Sequence, residues 1–315
     1  MFRPTVGITM GDPAGIGPEV IVKALEKGKL DGLCRPVIIG SSSIIRRAGG
    51  GRLSIIDCTE VDLRRVRPGR ISRAAGQASA EALRAAVQMA LDGQLAAVVT
   101  APICKQALHL SGHPYPGQTE FLADLTKTKR FAMMLVAGDF RVALVTTHLP
   151  LSRVSGAITK ARVLNTIQLA HSALQEHFGI RRPRVAVCAL NPHAGDGGIF
   201  GNQEEKTIAP VIREAIRQGV LAQGPFPADT LFAPLMRRKF DAIVAMYHDQ
   251  GLIPVKMGGF GKAVNITLGL PIIRTSPDHG TAFEIAGKGE ANPESMIRAI
   301  RLAAQLARTR WEQAV

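Results

Sequence analysis

The sequence predicts an α/β fold on an open, largely parallel sheet, and three observations point there. Short apolar runs of strand length, rich in Val and Ile, recur at residues 6–9, 35–40, 53–57, 95–100, 141–147, 184–190 and 241–247. Buried parallel strands read this way because both faces of such a sheet are covered. Stretches with helical apolar spacing, notably 76–91, 159–178 and 204–218, alternate with them, the pattern that builds parallel sheets. Third, several strands stop at polar residues foreign to a core: His148 after 141–147, Asn191-Pro192-His193 after 184–190, and His248-Asp249-Gln250 after 241–247. Ligands of open α/β sheets sit outside the carboxyl ends of the strands, so these residues mark the expected active edge.

A chain of 315 residues accommodates one large α/β domain or two lobes. Hydrophobic residues at 46% and charged residues at 20% fit a globular protein. No run of 18 apolar residues occurs, so no membrane span is expected, and the N-terminal stretch reads as a first strand rather than a secretory signal. Cys34, Cys58, Cys104 and Cys188 are scattered without a Cys-x-x-Cys pair. That argues against a thiolate zinc site or a disulfide framework and for a reducing, cytoplasmic setting. The net charge of +14 raises nucleic acid as a partner. Yet the basic residues are spread along the chain, and aromatics at 4% are too few for a base-stacking platform. A basic surface also attracts anionic small molecules.

In chain order, strand 6–9 leads into Gly11-Asp12-Pro13-Ala14-Gly15-Ile16-Gly17, and Pro18-Glu19 suit the start of a helix. A Gly-rich strand-to-helix loop can ring a phosphate with backbone N–H groups. Here Gly-x-Gly-x-x-Gly is absent and no Gly-Lys-Ser/Thr follows, so the loop is neither a Rossmann fingerprint nor a P-loop. Ser41 to Ser43 open a short helix, and the basic stretch 64–73 reads as loop. Runs 131–137 and 141–147, joined through Gly138-Asp139, predict a hairpin within an otherwise alternating chain. Residues 224–232 read as a turn bearing Asp229, either a carboxylate supporting a ligand site or an ordinary cap. Short apolar runs at 264–268 and 271–275 carry Asn265 and Arg274; a buried Arg274 would need an anion or carboxylate partner. An amphipathic helix over 294–306 closes the chain.

Three of the eight histidines stand at strand ends. A single one reads better as a satisfied structural residue; three together read better as a site. Three neutral imidazoles hold a borderline divalent ion and leave positions open for substrate, the pattern of a catalytic rather than a structural metal centre.

The stretch Asp278-His279-Gly280-Thr281-Ala282-Phe283-Glu284-Ile285-Ala286-Gly287-Lys288-Gly289, with Ala291-Asn292-Pro293, resembles the adenosine-binding loop of the β-decarboxylating isocitrate and isopropylmalate dehydrogenases. Those enzymes bind NAD outside the Rossmann framework. The motifs ITMGDPAGIGPE, TAPICK, GQTEFLA, TTHLP, NPHAGDGG, PADT, MYHDQG, GFGKAVNITLGLP and IRTSPDHGTA together resemble the 4-hydroxythreonine-4-phosphate dehydrogenase family of vitamin B6 biosynthesis, over nearly the whole chain.

This resemblance implies a two-lobed α/β/α, isopropylmalate-dehydrogenase-like fold with the active site in the cleft. Residues 1–125 and 250–315 would form the cofactor-binding lobe, and 126–249 the metal-binding, dimer-forming lobe. It implies a homodimer with shared active sites, in which His148, His193 and His248 are metal ligands. Gln118, Thr119, Lys256, Asn265 and Arg274 would contact a phosphorylated hydroxy-acid substrate. His279, Gly280, Ala282 and Asn292 would bind NAD or NADP. Lys256 and Asp249 are the catalytic candidates, with Asp249 and Asp229 as supporting carboxylates. Zinc is the first candidate metal for imidazole ligands, with cobalt, magnesium and manganese as alternatives. The implied reaction oxidises the C3 hydroxyl of 4-phosphooxy-L-threonine and decarboxylates the product to 3-amino-2-oxopropyl phosphate.

One departure matters. The family usually carries His where this chain has Gln118, and Gln neither titrates near neutral pH nor carries positive charge. A relative acting on 4-phospho-D-threonate or 4-phospho-D-erythronate is therefore the alternative. A metal-dependent hydrolase built on the three histidines would leave the 279–289 loop without a purpose.

Overall fold

The computed structural model describes residues 2–259 and 263–314. In chain order the strands are β1 (Thr5–Thr9), β2 (Arg35–Gly40), β3 (Ile55–Asp57), β4 (Ala97–Thr100), β5 (Ala132–Ala137), β6 (Phe140–Leu144), β7 (Arg184–Cys188), β8 (Leu221–Phe226), β9 (Ala242–Ala245), β10 (Val264–Leu268) and β11 (Arg274–Pro277). The chain divides into two compact units, Met1–Lys129 with Leu270–Trp311, and Arg130–Gly269 with Glu312–Val315.

In unit 1 the strands lie in the order β3-β2-β1-β4-β11, every neighbouring pair parallel. Ile8 of β1 sits opposite Ile38 and Val99, and all three are fully buried. Such two-sided burial is what the unbroken apolar runs require, each large side chain contributing about 1.5–3 kcal/mol. The helix Gly17–Lys27 starts as its sequence asks, with Pro18 in the first turn, Glu19 at the positive end and Lys27 at the negative end. The helix Arg73–Leu91 is capped by Ser72, whose Oγ accepts from Ala75 N at 3.2 Å. Gly76 is required there: a Cβ at that position would lie 1.9 Å from the carbonyl oxygen of Ala107, in the neighbouring helix Lys105–Leu110.

In unit 2 the order is β10-β5-β6-β9-β7-β8. β5 pairs antiparallel with both β6 and β10, while β6, β9, β7 and β8 run parallel. The expected hairpin is present, turning at Gly138 in the left-handed region (φ 62°). The helix Lys160–Glu176 is capped by Thr159, whose Oγ1 accepts from Arg162 N. The core of this unit gathers Leu135, Val142, Leu144, Ala186, Ile243, Ala245, Leu252 and Val255.

Three features depart from the sequence reading. The strand β8, Leu221–Phe226, runs into the 224–232 stretch expected as a turn; Gly224 and Pro225 hide it, and they are tolerated because β8 ends the strand order and Pro costs no ladder bond at an edge. His248 opens a helix, His248–Gly259, that the sequence reading does not mark. The second crossing between units falls at Gly269–Leu270 instead of near residue 250, because β10 pairs with β5 of unit 2. Lys256 and Asn265 consequently belong to unit 2. Among the described residues no helix is long and apolar enough to cross a membrane.

Candidate active site

Strands β6 and β9 run side by side with Leu144 opposite Ala245. The pairing continues past the strands: Val145 N donates to Ala245 O at 2.9 Å, and Thr146 donates to Met246 O through both its N–H (3.1 Å) and its hydroxyl (2.8 Å). Chains held together this far deliver the next side chains as neighbours. The His148 and His248 rings lie with centroids 5.9 Å apart and planes inclined by 44°. His248 Nδ1 meets Asp249 Oδ1 at 2.7 Å. With Nδ1–H donated to the carboxylate, the Nε2 lone pair is the one offered outward, the arrangement that orients a metal-ligating imidazole. The carboxylate is largely exposed, so this pair fixes a tautomer and adds little stability. Gln250 is structural: its Oε1 accepts from Met246 N and its Nε2 donates to Ala189 O, both at 2.7 Å, stapling the end of β9 to that of β7.

β9 lies between β6 and β7, so His148, His248 and His193 follow three adjacent parallel strands. His193 is exposed, its ring 6.1 Å from that of Phe200. Six successive residues here, His193 to Gly198, have positive φ, a left-handed turn that includes non-glycine His193, Ala194 and Asp196. Each such residue costs on the order of 1–3 kcal/mol, which surrounding contacts must offset. Two imidazoles at common range, one oriented by a carboxylate, suit a borderline divalent ion. Among the described residues of one chain, however, no group of three or more His, Cys, Asp or Glu is close enough to hold it.

Lys256 stands two turns beyond His248 on the same helical face. His248, Asp249, Leu252, Ile253, Lys256 and Met257 line a groove of about 530 Å³. Asn265 projects from β10, its Oδ1 buried and without a hydrogen-bond partner among the described residues. Buried carbonyl oxygens are seldom left so. Large apolar residues accompany all three histidines at the surface: Leu149 and Leu151, Ile199 and Phe200, and Ile253 and Met257, the last 84% exposed. Asp229 is exposed at the start of the short helix Ala228–Leu231.

In unit 1, Arg274 at the start of β11 is buried. Its Nε and Nη2 donate to Thr100 Oγ1 at 3.0 and 2.7 Å, and Nη2 also donates to Gln118 Oε1 at 3.2 Å. Gln118 Nε2 donates in turn to Ala101 O at 2.9 Å, so both ends of the amide are spoken for. Burial pushes the guanidinium down to about 10, opposed by the Glu120 carboxylate; it stays charged. Thr119 follows Gln118 in the first turn of the helix Gln118–Leu125. Asp12, in the Gly-rich loop after β1, is fully buried. Desolvation lifts its carboxyl to about 6 against hydrogen bonds from the Ala14 and Cys104 backbone. Ala14 N reaches Oδ1 at 2.8 Å, while Oδ2 has no partner among the described residues.

The same loop backs onto the 278–292 stretch. Ile16 N donates to Thr281 O at 3.0 Å, and a Cβ on Gly15 would lie 3.0 Å from Thr281. Lys23 Nζ binds the Gly289 and Ala291 carbonyls at 2.7 and 3.0 Å, and Ala291 N donates to Glu19 Oε1 at 2.9 Å. His279 Nδ1 contacts Gly280 O at 3.0 Å, Ala282 holds a positive φ of 42°, and Asn292 Oδ1 accepts from Glu294 N at 2.9 Å, capping the helix Glu294–Ala314.

The model of the pyridoxal phosphate biosynthetic protein PdxA matches residues 32–303. The chain belongs to the PdxA family. A 4-hydroxythreonine-4-phosphate dehydrogenase of Desulforapulum autotrophicum is 45% identical, over 96% of this chain and 95% of that one. A D-threonate 4-phosphate dehydrogenase of Cupriavidus necator is also 45% identical, over 98% and 99%. A solved structure of a 4-hydroxythreonine-4-phosphate dehydrogenase from Klebsiella pneumoniae matches with a TM-score of 0.89 at 41% identity, covering 97% of this chain and 100% of that one. The α/β/α class expected from the sequence is therefore the class found, and as a PdxA-family dehydrogenase the protein is an oxidoreductase.

Of the residues singled out from sequence, unit 2 brings His148, His248 and Asp249 together and sets Lys256 along the helix that His248 opens, while among the described residues no three such groups stand close enough to hold a metal. Unit 1 brings Gln118 to Arg274. Sequence reasoning missed Asp12, Thr100 and the buried Glu204, which accepts from the Leu190 and Asn191 N–H groups just before His193. Asp12 carries a signal in hindsight, an acidic residue inside an apolar Gly-Pro loop; Thr100 and Glu204 carry none.

Proposed function

We propose that the protein oxidises the C3 hydroxyl of 4-phosphooxy-L-threonine with NAD or NADP and releases CO2, giving 3-amino-2-oxopropyl phosphate for pyridoxal phosphate synthesis. The observation that carries this reading is the His148–His248 pair, with Asp249 on Nδ1, at the strand-end edge of a PdxA-family chain. A divalent ion held there, zinc or cobalt before magnesium or manganese, would supply Lewis acidity to the substrate hydroxyl and to the enolate left by decarboxylation. His148 and His248 hold it, with His193. Asp249 keeps His248 in the ligating tautomer and is the candidate to accept the hydroxyl proton. Arg274, its fork held by Thr100 and Gln118, suits phosphate as a fixed positive charge, and Lys256 adds a second charge on a longer stem. Thr119 and Asn265 orient the substrate through neutral hydrogen bonds; that Asn265 Oδ1 has no partner among the described residues supports that role. The 279–292 stretch, with His279, Gly280, Ala282 and Asn292, takes the nicotinamide cofactor. The ligands are completed across a homodimer, in which the apolar residues beside the histidines are covered.

A second reading has its own support. Gln118 stands where an imidazole is usual, and identity to the Cupriavidus necator D-threonate enzyme equals that to the 4-hydroxythreonine one. Absorbance of NADH or NADPH during incubation with 4-phosphooxy-L-threonine, 4-phospho-D-threonate and 4-phospho-D-erythronate decides between them. Turnover of the first supports the leading reading; turnover of only the others replaces it.

A further inference from the structure

The loop that carries His193 is built around a carboxylate assigned no role so far. Glu204 is buried, with 3% of its surface exposed, and lies at the start of a π-helical turn, Glu204–Ile208, that leads into the helix Ala209–Arg217. Its Oε1 accepts from two successive backbone N–H groups, those of Leu190 and Asn191, both at 2.8 Å. Its Oε2 accepts from the Asn191 side-chain amide at 2.9 Å. Asn191 Nδ2 donates also to Gln203 Oε1 at 2.8 Å, and Gln203 Nε2 donates to Ser155 Oγ at 2.9 Å.

The left-handed turn closes directly over this carboxylate. A Cβ on Gly195, at the middle of the turn, would stand 2.9 Å from Glu204 Oε2, and one on Gly201 would stand 2.6 Å from Asn191 Nδ2. Residues 190–201 thus enter through Glu204 and leave through Asn191, with no room for a side chain at Gly195 or Gly201. In the loop packed on this carboxylate, His193 has positive φ and an exposed side chain. Left to local preference, His193, Ala194 and Asp196 would leave the left-handed region.

We infer that Glu204 is a positioning residue, clamping the 190–201 loop so that His193 is set to ligate a divalent ion before the ion arrives. This rests on the reading of His193 as a metal ligand, and it adds that the ligand's geometry belongs to a carboxylate eleven residues away rather than to its own strand.

The test uses the full chain stripped of metal, titrated with Zn²⁺ against a chromogenic chelator, with amide hydrogen exchange followed over residues 190–201. Glu204→Gln keeps an acceptor for the two backbone groups but sets an NH2 against the Asn191 amide. It is expected to weaken Zn²⁺ binding on the order of 10- to 100-fold, the usual cost of losing a group that orients a ligand, and to speed exchange in the loop. Adding Asn191→Asp restores the bond with donor and acceptor exchanged, Gln203 turning its amide to suit and Ser155 donating in return, and should recover most of the affinity. A merely structural role predicts no such reciprocal rescue. Wild-type affinity and loop exchange in Glu204→Gln, where His193→Ala loses binding, would overturn the clamp alone. Undiminished binding in His193→Ala would overturn the metal reading, with loop exchange in the metal-free Glu204→Gln protein still judging the clamp: faster exchange supports it and unchanged exchange overturns it. Glu204→Ala is the cruder variant, because it strands two backbone donors and opens a hole.

Discussion

Asp12 shows how much one buried group can bias the molecule. Its carboxyl titrates near 6 because burial disfavours the charged form more than two backbone N–H groups favour it. A folded-state value above the unfolded one means that the protonated group contributes its full share of stability below about pH 4. That share, about 3 kcal/mol for a carboxyl lifted from its ordinary value to about 6, is lost as pH rises through 6. Asp12→Asn keeps the acceptor for Ala14 N and cannot ionise. Thermal unfolding from pH 4 to pH 8 should show the variant gaining on the wild type as pH rises, by up to about 3 kcal/mol, with the change centred between 4 and 6. A difference independent of pH would mean that the wild-type carboxyl titrates normally. Arg274 is the opposite case: burial lowers its value, but not far enough to discharge it, so the guanidinium remains a fixed cation.

At the scale of elements, close backbone approach decides where side chains are forbidden. The helices Arg73–Leu91 and Lys105–Leu110 meet through Gly76, where a methyl would sit 1.9 Å from Ala107 O. Gly76→Ala should cost at least about 2–3 kcal/mol by chemical denaturation, since backbone cannot yield as a flexible side chain can. Gly156, with open space around its Cβ position in the helix Leu151–Ala157, should gain up to about 1 kcal/mol on the same change. Elements also divide by how plainly the sequence announces them. β1, β2, β4, β7 and β9 are visible as β-branched runs because burial on both faces leaves no polar position to confuse the pattern. β8 is not, since an edge strand tolerates the Gly224-Pro225 that elsewhere ends one. The helix from His248 is obscured by Gly251 and Pro254; Gly251 is there because a Cβ would lie 2.7 Å from Leu144 Cδ2. The histidines were legible as strand-end residues. Their supports were not: Glu204 reaches back to Leu190 and Asn191, and Gln118 meets an arginine 156 positions on, separations that leave no periodic trace.

For the whole molecule, the observation to explain is that the described residues of one chain bring two imidazoles together but no group of three that could hold a metal. A two-fold dimer resolves it if the third imidazole comes from the partner, and the exposed Leu151, Ile199 and Met257 gain a reason to be apolar. Mixing His148→Ala with His193→Ala under conditions that exchange subunits tests this. A mixed dimer would carry one site with both changes and one with neither, so about a quarter of wild-type activity should return at random pairing. No recovery after exchange has been verified by mass would assign all three ligands to a single chain.

The path of the chain has a consequence in time. Unit 2 is one continuous stretch, Arg130–Gly269 apart from the last residues, and its two ends meet, a Cβ on Gly269 lying 2.2 Å from Arg130 O. Unit 1 is interrupted by it, and β11, the neighbour of β4, is drawn from beyond residue 270. During synthesis the second unit can therefore close as soon as it leaves the ribosome, while β4 waits for its partner strand through roughly ten seconds or more of further translation. Until then the edge of β4 at Val98 and Val99 lacks its partner strand, so the stretch most exposed to misassociation in a nascent chain is not the edge of the molecule but its interior.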